Sequence, residues 1–125
     1  MAMELYDLQV STSNIHNKLN ELGNSLQKET KQNRIEEIVK MMEDPSFWLD
    51  RHLSSSLIQE MNRLKNILTT YDKLYSWSKN ILDSIEELRK EYDTEIHEII
   101  ESEYLEFKNE TSTFEIQLLL NEPYD

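Results

Sequence analysis

The chain has no cysteine, one glycine (Gly23) and two prolines (Pro45, Pro123) in 125 residues. Without cysteine there is neither a disulfide framework nor a thiolate metal site, which favours a reducing, intracellular setting. Phosphate-binding glycine loops, dinucleotide fingerprints, propellers and sandwiches all need many tight turns, and one glycine cannot supply them. No apolar run approaches the roughly 18 residues of a membrane span, and the N-terminus Met1-Ala2-Met3-Glu4-Leu5 lacks a basic patch followed by an apolar stretch. The chain therefore reads as soluble and cytoplasmic, with no membrane partner. Positive charge is also scarce: 13 Lys and Arg against 25 Asp and Glu leave a net charge of −12. Such a surface repels nucleic-acid phosphates over most of its area and favours basic partners.

The apolar residues that are present recur with helical spacing. Leu5, Leu8, Thr12, Ile15, Leu19, Leu22 and Leu26 alternate steps of three and four, which puts them on one helical stripe. This spacing predicts a first helix over about 4–22, ending at Gly23, because glycine reaches the left-handed cap conformation freely. Ile35, Ile38, Val39 and Met42 predict a second over about 30–43, with Thr30 and Asn33 as candidate caps. A third, the longest, carries Leu57, Met61, Leu64, Leu68, Tyr71, Tyr75, Ser78, Leu82 and Ile85, flanked by Ile67, Leu74, Ile81 and Leu88. It begins at 45 or at 54 and runs to about 91, with Ser54, Ser55 and Ser56 offering a fresh cap or a kink. A fourth, over about 94–120, is capped by Asp93 or Thr94 and carries Ile96, Ile99, Ile100, Phe107, Phe114, Leu118 and Leu119. So short a link between the last two forces an antiparallel return. The expected fold is all-α: one elongated antiparallel bundle or coiled coil of three to four helices, built on a long helical hairpin.

Between the second and third helices, Asp44-Pro45-Ser46-Phe47-Trp48 reads as a corner. Aspartate is a favoured N-cap, and proline suits the first helical position because it has no N–H to lose. Phe47 and Trp48 there read either as a packing plug that sets an interhelical angle or as a solvent-facing contact. Charge is polarised along the chain. From Asp93 onward ten acidic residues face one base, Lys108, whereas Lys28, Lys31, Arg34 and Lys40 cluster near the second helix. Each cluster reads either as a solvated helix face or as a docking surface.

Chemistry-bearing patterns are few. None of His16, His52 and His97 follows a glutamate by three positions, so the paired Glu-x-x-His units of di-iron bundles are missing. All three are expected at helix surfaces. His97 can share a face with Asp93 or Glu101, but two ligands do not hold a catalytic metal. No nucleophile has an identifiable base. The chain reads as a non-enzyme, with no catalytic, cofactor-binding or metal-ligating residue assigned.

Two stretches resemble a known family: Arg34-Ile35-Glu36-Glu37-Ile38, and Met42-Glu43-Asp44-Pro45-Ser46-Phe47-Trp48-Leu49-Asp50. Together they look like the N-terminal domain of bacterial class I peptide chain release factors. There an Arg-Ile helix runs into an Asp-Pro-x-Phe-Trp-x-Asp corner, and the Phe-Trp pair is the mark of type 2. Leu119-Leu120-Asn121-Glu122-Pro123-Tyr124-Asp125 is similar to the junction with that family's central domains, and the resemblance covers essentially the whole chain. Ser46 stands where an acid is common, Asn121 where serine is frequent, and Met1-Ala2 precedes the usual start.

Type 2 factors read UGA and UAA through a Ser-Pro-Phe tripeptide and promote peptidyl-tRNA hydrolysis through a Gly-Gly-Gln loop, neither of which occurs here. The resemblance thus implies a single helical domain that meets the stop codon of the mRNA only through absent domains. It also implies a docking arm toward the stalk base of the large ribosomal subunit, its proteins and its rRNA, with release factor 3 as cooperating GTPase. Lys28, Lys31, Arg34 and Lys40 are then the candidate ribosome-facing residues, and Asp44, Pro45, Phe47 and Trp48 form the structural corner. A free-standing acidic coiled-coil interaction module would show the same stripes, and a helical enzyme is the weaker rival.

Overall fold

The computed structural model describes residues 2–121. Four α-helices and one short 3-10 turn follow in order: α1 Leu5–Ser25, α2 Lys28–Met41, the turn Pro45–Leu49, α3 Arg51–Lys90 and α4 Thr94–Asn121. No strand occurs among the described residues, and the protein is an all-α helical bundle. At about 1.5 Å per residue the 40-residue α3 is roughly 60 Å long, and every other element packs against it.

The cross-links fix the directions. Gln9 meets Arg89, His16 meets Ser78 and Leu19 meets Tyr71, so α1 runs antiparallel to α3. Glu103 meets Trp77 and Glu110 meets Lys73, so α4 does too, on another side. These three helices share one core, in which Leu8, Leu19, Leu74, Ile85 and Phe107 are essentially sealed from water. Fully burying such side chains contributes about 1.5–3 kcal/mol each. Beyond the end of α1 the chain continues as α2 along the N-terminal part of α3. There Ile38, Met61 and Leu64 are buried apart from the main core.

The helix ends differ from those the sequence suggests. Gly23 lies inside α1, not at its end. A Cβ there would come within 2.8 Å of Tyr71 Cζ, so the glycine admits a tyrosine from α3 and does not terminate the helix. The break falls at Gln27, which holds the left-handed conformation at φ 55°. Thr30 and Asn33 sit within α2, which starts at Lys28 with Gln27 as its cap residue. Ser54, Ser55 and Ser56 lie inside a continuous α3 and do not cap it: Asp50 caps it by accepting from Leu53 N at 3.0 Å, and Ser54 is buried with its hydroxyl on Arg51 O.

On α4 the buried stripe is Ile100, Tyr104, Phe107, Thr111, Phe114 and Leu118. Ile96, Ile99 and Leu119, expected in the core, are exposed. Tyr104 and Thr111 take core positions because they continue the three-four register that faces α3.

Candidate docking surface

The corner is built from local hydrogen bonds. Asp44 accepts from the backbone N–H and the hydroxyl of Ser46, each at 2.9 Å, and Pro45 follows at the first position of the 3-10 turn. Those bonds, the backbone one foremost, hold the Asp44 carboxyl below its ordinary value. Phe47 and Trp48 meet edge to face with centroids 4.9 Å apart. The Trp48 indole N–H donates to Met42 O at 3.1 Å and so satisfies one of the carbonyls left open at the end of α2. Trp48 is nevertheless 50% exposed, and beside it Leu49 and Leu53 are also exposed. The corner is thus both a joint and an apolar tip.

The four basic residues of the α2 region do not form one solvated patch. The Lys31 side chain turns inward and its ammonium donates to Leu26 O at 2.6 Å, which ties the start of α2 to the end of α1. Arg34 grips Glu60 on α3 through two bonds of 2.7 and 3.0 Å and also pairs with Glu37. The bond from Arg34 holds Glu60 below the ordinary carboxylate range, and Glu60 in turn raises Arg34. Lys28 lies 4.2 Å from the centroid of the Tyr71 ring and 4.0 Å from Asp72. Lys40 is exposed in the last turn of α2 and has no ion-pair partner among the described residues. Lys28 and Lys40 are therefore presented outward, while Lys31 and Arg34 fasten α2 to its neighbours. The sequence shows the charges but not these partners, because each partner lies on another helix or at a helix end.

Two of the histidines bridge elements and are not freely solvated. Ser78 Oγ donates to Tyr75 O at 2.7 Å, so His16 Nδ1 at 2.7 Å donates to Ser78 Oγ, and the ring lies tilted against Tyr75 with centroids 4.9 Å apart. His97 Nε2 donates to Met3 O at 2.8 Å while its Nδ1 shares a hydrogen bond with the Tyr92 hydroxyl at 2.7 Å. One turn on, Glu101 accepts from Met3 N at 2.6 Å. The shared face of His97 and Glu101 holds the backbone of the N-terminal segment; His52 is exposed. No group of three or more His, Asp or Glu able to hold a metal occurs among the described residues. No helix among them is long and apolar enough to cross a membrane.

Comparison with known proteins gives this surface its context. The family model of the PCRF domain matches residues 31–125. That span includes the Arg34 clamp and the Asp44-Pro45-Phe47-Trp48 corner; its last residues, Glu122 to Asp125, lie outside the described ones. Peptide chain release factor 2 of Staphylococcus epidermidis is 33% identical over 123 residues. That protein's counterparts in Staphylococcus saprophyticus and Staphylococcus aureus are 34% and 31% identical over the same length. The alignments cover 98% of this chain but 33% of each relative, so the chain spans about one third of their length. On the family match across most of its residues, the chain belongs to the PCRF-domain family.

Proposed function

We propose that this chain is the N-terminal helical arm of a type 2 translation termination factor. In the intact factor the other domains recognise UGA and UAA and promote peptidyl-tRNA hydrolysis. The arm reaches toward the stalk base of the large ribosomal subunit and cooperates with release factor 3. The observation that carries the proposal is the likeness to release factor 2 over 98% of the chain.

The physical features agree with a contact role. A 40-residue helix braced along its length by the other helices makes a stiff rod suited to bridging a distance. Its net charge of −12 keeps most of its surface away from rRNA. Lys28 and Lys40 then present positive charge to the ribosome, with Lys31 and Arg34 holding α2 in the orientation that does so. The test is co-sedimentation of the 125-residue chain with purified bacterial ribosomes at low salt. The chain pellets with the large subunit and is displaced by intact release factor 2. Absence of binding, or binding that intact factor leaves untouched, overturns the assignment.

A further inference from the structure

α4 is apolar on two sides. Its inner stripe faces α3 and α1, yet Leu105, Ile116 and Leu119 stand on the outer side at 53%, 58% and 72% exposure, with Leu120 beside them. Leu105, Ser112, Ile116 and Leu119 succeed one another by seven, four and three positions, so they form a second helical stripe. Ser112 lies between the larger residues and leaves room for a second backbone to approach. At the end of the stripe Leu119 joins a groove between α1 and α4, lined also by Leu22, Leu26 and Leu118. Lys108, Asn109 and Ser112 separate Leu105 from the rest, so the exposed apolar surface is concentrated at Ile116, Leu119 and Leu120 beside the groove. An apolar cluster of this kind on an otherwise polar face marks an interaction surface.

The charge around this stripe selects the occupant. α4 carries seven glutamates and one base, Lys108. Glu98 continues the stripe two turns before Leu105 and Glu106 adjoins Leu105; both are exposed and have no ion-pair partner among the described residues, Glu115 edges the groove, and Lys108 is the one base on this side. A second copy of this chain would set one glutamate-flanked face against another at a net charge of −12 per copy. A partner with Lys and Arg beside its apolar residues meets complementary charge instead. We infer that the outer face of α4 is a docking site for a basic amphipathic helix of another protein, whose apolar stripe seats on Leu105, Ile116 and Leu119 while its Lys and Arg residues pair with Glu98 and Glu106. This site is distinct from the α2 face and stands whether or not the chain binds ribosomes.

The test uses the 125-residue chain and an 18-residue synthetic amphipathic helix of Leu and Lys, with a Leu and Glu version of the same pattern as comparison. Binding is followed by fluorescence anisotropy, and the site is mapped by amide chemical-shift changes. The Leu/Lys peptide binds, the Leu/Glu peptide does not, and the shifts concentrate between Glu98 and Leu120. The double variant Ile116→Ser/Leu119→Ser alters exposed positions only, and it binds at least tenfold more weakly with unchanged circular dichroism. Tyr6→Ser, on an exposed position of α1, leaves binding as it was. Equal affinity for both peptides, or for the double variant, overturns the inference. So does a dimer of the chain alone that Ile116→Ser/Leu119→Ser dissociates, since the occupant would then be a second copy.

Discussion

The hydroxyl of Tyr71 on α3 donates to the carbonyl of Leu19 on α1 at 2.7 Å, and the ring reaches that carbonyl by passing over Gly23. The tyrosine is buried, and desolvation is the main reason its hydroxyl titrates above the ordinary range. The packing of the two helices at this point thus depends on a side chain and on the absence of one.

Gly23→Ala tests that relationship with a sign opposite to helix propensity. Alanine in a helix interior stabilises by about 1 kcal/mol over glycine. Here its Cβ would collide with Tyr71, and overpacking costs about 1–3 kcal/mol. The variant unfolds at lower urea concentration than the parent. In a Tyr71→Leu background, where the ring is gone, the same change becomes neutral or stabilising.

Gln27→Gly should act in the other direction. A non-glycine residue in the left-handed region costs about 1 kcal/mol, and glycine removes that penalty at the junction of α1 and α2. A rise in urea midpoint of corresponding size is the expected outcome. Its absence would mean that the glutamine side chain contributes something to the joint that its conformation does not reveal.

The seam between helices buries two hydroxyls, Thr12 Oγ1 and Thr111 Oγ1, that have no hydrogen-bond partner among the described residues. Valine has nearly the same shape and no polar atom to desolvate, so Thr12→Val and Thr111→Val each stabilise by about 1 kcal/mol. Thermal unfolding at neutral pH measures this, and a loss of stability in either variant would indicate that the hydroxyl is bonded in solution.

Much of this fold is legible in the sequence. The three-four recurrence of Leu8, Leu19, Leu74, Ile85 and Phe107 is what makes the chain a helical bundle, and Asp44-Pro45 opens the 3-10 turn between α2 and α3. Gly23 misleads because the two uses of glycine, ending a helix and admitting a neighbour, look alike until the neighbour is known. Lys31 reads as surface charge, although its stem is buried and its ammonium finds a helix-end carbonyl. On α4 two apolar stripes compete, and only packing against α3 decides that Tyr104 and Thr111 go inside while Ile99 and Leu119 stay out.

The Arg34–Glu60 clamp carries a pH signature. Because Arg34 lowers the carboxyl of Glu60 below its value in the unfolded chain, the stabilisation is fully present above that unfolded value. It is lost as pH falls through the folded one, in the acid region below about pH 4.5. Glu60→Gln should therefore lower stability by about 1 kcal/mol at pH 7, with the gap to the parent closing below pH 4. A gap independent of pH would place the effect of Glu60 in packing and not in its charge.

The most direct measurement of the arm's role is the salt dependence of ribosome binding with and without its outward positive charge. Lys28→Glu/Lys40→Glu changes two exposed side chains and leaves the Lys31 and Arg34 attachments in place. Weaker binding for this variant, with a shallower fall in affinity between low and physiological salt, is the result predicted. Identical affinity and identical salt slope for parent and variant would contradict the docking of this face.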